Sequence, residues 1–207
     1  MNKKYGSHKE ASTRLYGIAE GQSGFFTTQQ AESAGFSQKN HAYHIRAGNW
    51  VRERRGIYRL SQFPPGERPD LMFWGLWSRN RKDEPQGVFS HETALSLYEL
   101  SDINPARLHM TVPRSFQRRG KGPRPVLHRG EVHKDDVEAR FGVRVTRPLK
   151  TIADLLAAGT VEADHMRQAV RQAFGRGLIT RAELARAKRI PAAIRKEIAR
   201  LGEAGNG

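Results

Sequence analysis

Two short stretches of the 207-residue chain carry side chains able to read or grip a polyanion. In "SQKNHAYHIRAGN", helical spacing places Gln38, Lys39, Ala42, Tyr43 and Arg46 on one face, with Asn40 and His44 at its flanks. Gln and Asn can address adenine, Lys and Arg can address guanine or phosphate, and a good bidentate pair discriminates by ~1–3 kcal/mol. In "WVRERRGIYRL", Arg54 and Arg55 sit at a turn and Arg52 and Arg59 flank it. Guanidinium groups placed there reach phosphate or a minor groove. A lone polar helix face is in most proteins simply the wetted side of an amphipathic helix. Here the order of elements around it and the local charge argue for duplex DNA.

The charge is uneven along the chain. It carries 36 Lys and Arg against 21 Asp and Glu, a net +15, which attracts phosphate polymers or anionic membrane without dictating a fold. Residues 1–60 hold ten basic and four acidic side chains, whereas residues 61–112 hold five and seven. Residues 113–130 hold six basic and no acidic ones. With no cysteine, disulfides and thiolate metal sites are excluded. "MNKKYGSHKE" has no apolar run behind its basic residues, and no window approaches the about 18–20 apolar residues of a membrane span. The expectation is a soluble cytoplasmic protein that does not enter a membrane.

These side chains need elements to hold them. Ala11, Leu15, Ile18 and Ala19 recur at helical spacing. "FFTTQQAESAGF" reads as a short extended piece and a helix capped by Thr27 or Thr28, ending at a left-handed Gly35. Ser37 then caps the next helix, whose His41, Ile45 and Gly48 share the face turned to the core, with Gly48 permitting close approach. "WVRE" and "IYRL" form a hairpin about Arg54-Arg55-Gly56, anchored by Trp50 and Tyr58. Helix, helix, helix, hairpin is the order of a winged helix-turn-helix, in which the second helix of the motif enters the major groove. Stacking of single-stranded RNA on the aromatics is the weaker alternative. "SQFPPGERPD", with three prolines and a glycine, reads as a linker, giving a DNA-binding domain over residues 1–62 and a second domain over residues 69–207.

The second domain reads as mixed α/β with a helical tail, so the fold class is α+β. "FSHETALSLYEL" is a helix capped by Ser90, with Ala94, Leu95, Leu97 and Leu100 on its buried face. "RLHMTVP" alternates Leu108, Met110 and Val112 inward as a half-buried strand, and "PVLHRGEV" and "VRVT" are further strands. "RPLKTIADLLAAG" is a helix opened by Pro148 and stopped by Gly159, followed by a helix lined by Met166, Ala169 or Val170, and Ala173 or Phe174, and by one repeating Ile194, Ile198 and Leu201. The run "PRSFQRRGKGPRPVLHRG" offers Arg114, Arg118, Arg119, Lys121 and Arg124, either as a solvated mobile loop or as secondary phosphate contacts.

Catalytic and metal patterns are weak. "HETAL" lacks the second histidine of a zincin, because position 95 is Leu95, and His109, His128 and His133 show no ligand spacing. Asp135, Asp136 and Asp154 are the residue types of a metal-dependent nuclease, without a recognisable arrangement. No phosphate loop and no nucleophile elbow is present. We therefore expect no catalytic residue, no metal and no cofactor, with a metal-dependent nuclease or an RNA-binding protein as the alternative function.

The sequence resembles the AbiEi-like abortive-infection antitoxins, regulators of type IV toxin–antitoxin systems. "GFFTTQQAESAGFSQKNHAYHIRAGNWVRERRGIYRL" looks like the family's winged helix, "FSHETALSLYELSDINPARLHMTVP" like the entry to its C-terminal domain, and "VRVTRPLKTIADLL" like its "T-x-P-x-x-T-x-x-D" segment. The resemblance implies a transcriptional repressor that binds inverted repeats of double-stranded DNA at its own promoter. It also implies an antitoxin against a nucleotidyltransferase toxin, without a stable complex between the two. Its DNA contacts would fall on Gln38, Lys39, Tyr43, Arg46, Arg52, Arg54 and Arg55. Two positions depart from the family pattern: His41, where an aliphatic residue is usual, and Glu53, an acid inside the wing.

Overall fold

The N-terminal core starts from an i, i+4, i+8 stripe. Helix α1 (His8–Glu20) buries Ala11, Leu15 and Ala19 along one side. The structure, a computed structural model, describes residues 8–64, 66–118 and 122–203. Strand β1 (Phe25–Thr27) is wholly buried and runs directly into α2 (Thr28–Ala34). Thr27 is the cap, and it forms a reciprocal box with Gln30. The Gln30 amide donates to Thr27 Oγ1 at 3.2 Å, and the Thr27 amide donates to Gln30 Oε1 at 2.9 Å. Gly35 ends the helix at φ 112°, the left-handed cap expected of it. Ser37 precedes α3 (Gln38–Arg46) without a side-chain capping bond.

Strands β2 (Trp50–Arg54) and β3 (Ile57–Leu60) close the hairpin, and the sheet order is β1-β3-β2, antiparallel throughout. The register pairs Trp50 with Leu60 and Arg52 with Tyr58, then slips between Arg52 and Arg54, leaving Glu53 at a bulge. Trp50 and Tyr58 are buried, as an anchored hairpin requires. Both rings pack on Phe26, at 4.9 and 5.7 Å between centroids. Helix α4 (Pro69–Trp77), opened by Pro69, packs on this sheet, with Phe73 edge-on to Phe25.

The chain divides into two compact units. One comprises residues 1–86 with 141–143, and the other residues 87–140 with 144–207. The division therefore falls after Gln86 rather than in the proline-rich segment at 63–68. Helix α4, assigned from sequence to the second domain, lies in the first because its apolar face finds β1 and β3.

In the second unit, β4 (Val88–Phe89), β5 (His109–Val112), β6 (Val126–Arg129), β7 (Val137–Arg140) and β8 (Val143–Thr146) form a mixed sheet in the order β6-β5-β4-β8-β7. Strand β5 is antiparallel to β4 and parallel to β6. Met110 and Val112 are buried, and so is Thr111 between them, so both faces of this inner strand are covered and it is not the half-buried strand of the alternation. Helix α5 (His91–Leu97) packs on β5, and α6 (Pro148–Ala158) packs on α5 and ends at Gly159 with φ 62°. Helices α7 (Ala163–Gly175), α8 (Arg181–Arg186) and α9 (Ala192–Glu203) follow. The chain is thus mixed α and β. Among the described residues no helix is long and apolar enough to cross a membrane.

Candidate nucleic-acid interface

Helix α3 sorts its residues sharply by exposure. Gln38, Lys39, Asn40, Ala42, Tyr43 and Arg46 face solvent, and Tyr43 keeps 61% of its surface. His41 and His44 are buried instead. His41 donates from Nε2 to the Phe36 carbonyl at 3.2 Å, so a polar ring fills a position suited to an aliphatic one. His44 lies nearly parallel to Trp50 at 4.6 Å and meets the edge of Phe36 at 4.9 Å. Burial, with His8 and His41 nearby, holds its imidazole below the ordinary histidine pKa and favours the neutral ring.

His44 was expected to flank the reading face and is corrected to a core residue. The buried stripe of α3 runs through His41, His44 and the half-buried Ile45, because Trp50 folds back over position 44. Gly48 is corrected as well. It is exposed, and a side-chain carbon there would meet nothing within 4 Å, so no close packing requires it. Its φ of 74° supplies the left-handed turn into β2.

The hairpin separates its arginines. Arg52 and Arg55 are exposed. Arg54 is half-buried, with its guanidinium 5.3 Å from the centroid of the Trp74 ring on α4. Arg59 donates from Nε to Glu53 Oε1 at 2.8 Å. Gly56, at φ 79°, makes the turn, and its carbonyl accepts from the Thr28 amide at 3.0 Å, tying the hairpin tip to the start of α2. Of the expected contacts, Gln38, Lys39, Asn40, Tyr43, Arg46, Arg52 and Arg55 are solvent-facing in one unit, while Arg54 is held against Trp74.

The basic run between β5 and β6 belongs to the second unit, and it is stapled where it is described. Phe116 is buried, and Arg129 donates to the carbonyls of Phe116 and Arg114 at 2.9 and 3.1 Å. Arg124 is half-buried and donates to the Arg118 carbonyl at 3.0 Å. Arg114 and Arg118 are exposed, and Arg119 and Lys121 lie outside the described residues.

Histidines that show no spacing in sequence converge here. Glu92 Oε2 accepts from His109 Nε2 at 2.7 Å, and His109 Nδ1 lies 3.2 Å from His128 Nε2. With its Nε2 proton committed to Glu92, neutral His109 presents Nδ1 as the acceptor and His128 Nε2–H as the donor. His91 stacks on His128 at 3.5 Å and 7°, and its Nδ1 is 2.9 Å from Ser90 Oγ, which also bonds Thr111 Oγ1. Burial lowers the pKa of all three rings. His91 falls to about 3, pushed further by His128, His109 and Lys150. For His109, Glu92 opposes the shift and Arg107 adds to it. For His128, His109 adds to it while Glu92 and Asp154 oppose. Tertiary folding alone assembles this group from α5, β5 and β6, so local spacing held no signal of it.

The carboxylates are occupied by cations. Asp154 pairs with Lys150 one helical turn away, and burial nonetheless raises its pKa. Asp136 holds Arg189 through two bonds of 3.2 and 3.3 Å beside a cleft of about 290 Å³ that Arg147, Lys150 and Lys188 also line. Among the described residues, no three His, Asp or Glu side chains are placed to hold a metal ion.

Residues 14–61 match a family model described as "Transcriptional regulator, AbiEi antitoxin". The matched segment runs from α1 through β3 and contains the whole solvent-facing set on α3 and the hairpin. The resemblance read from the sequence is thus found again over this segment. Among solved structures, the crystal structure of the RV2827C protein from Mycobacterium tuberculosis is similar. It is 14% identical with a TM-score of 0.55, over 99% of this chain and 79% of that one. At that identity the likeness concerns the fold alone. No curated protein matches the chain.

Proposed function

We propose that the chain is a DNA-binding transcriptional repressor of the AbiEi type, whose first unit acts as a winged helix-turn-helix. The observation that carries the reading is the coincidence of the family match over 14–61 with one solvent-facing set of polar and cationic side chains on α3 and the hairpin. In this reading α3 enters the major groove. Gln38, Lys39, Asn40, Tyr43 and Arg46 address base edges, while Arg52 and Arg55 neutralise phosphate. Arg54 steadies the wing from Trp74 and adds charge beside them. Arg114 and Arg118 offer secondary phosphate contacts.

The operator is formed by inverted repeats at the promoter of the chain's own gene. The biological role is that of the antitoxin of a type IV abortive-infection system acting in the cytoplasm. Its functional partner is a nucleotidyltransferase toxin that it counters without a stable complex. The reading assigns no catalytic residue.

Retention of the upstream duplex in a gel tests the DNA-binding half. The parent chain retains the repeat ahead of a scrambled duplex, and Lys39→Ala with Arg46→Ala loses that preference while its circular dichroism is unchanged. Retention of the repeat by the double variant overturns the assignment of α3. The antitoxin half predicts a nucleotidyltransferase gene beside the chain's own; its absence, or growth arrest by its product that co-expression of the chain does not relieve, overturns that half.

A further inference from the structure

We propose that the loop between Arg79 and Pro85 is an additional phosphate-gripping element of the DNA-binding unit, acting through Arg81 and Lys82. The proposal rests on the duplex-DNA reading above and extends its footprint beyond the wing.

The loop is built as a rigid presenter. Arg79 and Pro85 form an isolated antiparallel bridge at its base. Asn80 Oδ1 accepts from the amides of Lys82 and Glu84 at 2.8 and 3.0 Å, and the Asn80 amide donates to the Glu84 carbonyl at 2.9 Å. Both of its carboxylates are engaged within the unit. Asp83 accepts from Arg79 at 2.8 Å and from the Thr27 hydroxyl at 3.1 Å, and Glu84 accepts from Asn80 Nδ2 at 2.7 Å. Arg81 and Lys82 are exposed, and neither makes an ion pair among the described residues.

Placement gives those two cations their meaning. Thr27 is the cap of α2, and Gln29, in its first turn, donates from its side chain to the Arg81 carbonyl. Between them, the Thr28 amide donates to Gly56 at the hairpin turn. Three consecutive residues therefore tie the 79–85 loop and the hairpin tip to one point. Arg81 and Lys82 share the end of the unit from which Arg55 projects. Cations held on ordered backbone beside a wing meet the same phosphodiester strand, and such contacts add affinity without reading sequence. The net acidity of residues 61–112 conceals this: Asp83 is paired with Arg79, and the exposed Glu84 is bonded to Asn80 within the loop, so that Arg81 and Lys82 are left without an ion pair among the described residues.

Fluorescence anisotropy of the full chain on the upstream repeat and on a scrambled duplex, between about 50 and 200 mM salt, tests the proposal. Arg81→Ala with Lys82→Ala is expected to weaken both duplexes alike, roughly tenfold near 0.1 M salt, and to flatten the log–log salt slope by about two. Affinity and slope within twofold of the parent overturn it. So does an equal flattening by Lys188→Ala with Lys196→Ala, exposed lysines of the other unit that measure generic charge loss. The two readings fail separately. A parent that shows no preference for the repeat removes the repressor reading, while the slope still decides the loop. A parent that binds no duplex removes both.

Discussion

Glu53 and Arg59 form an ion pair across the hairpin, with Arg59 Nε 2.8 Å from Glu53 Oε1. The acid inside an otherwise cationic wing is thereby accounted for. It sits at the bulge, where register slippage lets it meet Arg59, and it neutralises one arginine of the surface. Both side chains are about a quarter exposed, so the pair contributes no more than ~1 kcal/mol to stability. Its larger effect is on charge. Glu53→Gln is expected to leave thermal unfolding nearly unchanged, tighten binding to any duplex about threefold near 0.1 M salt, and steepen the salt slope by about one. Anisotropy titrations over several salt concentrations measure this, and an unchanged slope would mean that Arg59 does not face phosphate.

Adjacent residues of α3 should separate stability from recognition. His44 is stacked on Trp50 inside the core, whereas Tyr43 stands in solvent. His44→Ala leaves a cavity among His8, Phe36 and Trp50 and is expected to cost ~2–4 kcal/mol in urea denaturation. Its folded fraction should bind DNA as the parent does. Tyr43→Ala is expected to leave the denaturation midpoint in place and weaken binding to the repeat. The opposite pattern would restore His44 to the reading face and place Tyr43 in the core.

Periodicity and punctuation made the first unit legible. Thr27, Gly35, Trp50, Gly56 and Tyr58 occupy the roles that cap chemistry, turn chemistry and aromatic burial assign them. His44 was misplaced because its polarity suggested solvent, whereas an imidazole kept neutral between two aromatic rings packs as one of them. The second unit was legible element by element but not in its contacts. The grouping of His91, His109 and His128 depends on β5 and β6 pairing in parallel, with Thr111 opposite His128, which no local spacing encodes. The loop at 79–85 was invisible for a related reason. Counting its charges gives near neutrality, and only the Arg79–Asp83 pair shows that Arg81 and Lys82 are the cations left exposed, with Glu84 beside them.

Thr27 joins three features, and its replacement tests whether they act together. Its hydroxyl oxygen accepts from the Gln30 amide, and its hydroxyl donates to Asp83 on the neighbouring loop. Thr27→Ala is expected to cost ~1–2 kcal/mol by urea denaturation through the lost cap. It should also raise hydrogen exchange at the amides of Lys82 and Glu84. Thr27→Ser keeps the oxygen and is expected to restore most of both. Loss of stability without faster exchange in the loop would show that Asn80, Arg79 and Gln29 hold it without Thr27.

The buried histidines set a direction for stability against pH. Each of His91, His109 and His128 has a folded pKa below the ordinary value of 6.5, so below that value the unfolded chain binds more protons than the folded one. Their contribution is fully present above about pH 6.5 and is lost as the pH falls, for His91 down to about 3. His91 is buried, stacked on His128 and faced by His109 and Lys150. A proton there meets like charge and no carboxylate bond, and the limiting loss is about 1.4 kcal/mol per pH unit. Its φ of 53° is a conformation that asparagine tolerates among non-glycine residues, so His91→Asn removes the titrating ring at little backbone strain. Urea denaturation of parent and variant at pH 7.5, 6.0 and 5.0 is expected to show a shallower decline in the variant, by close to one proton, even where its stability at pH 7.5 is lower. Parallel declines would mean that His91 already carries its proton in the folded chain.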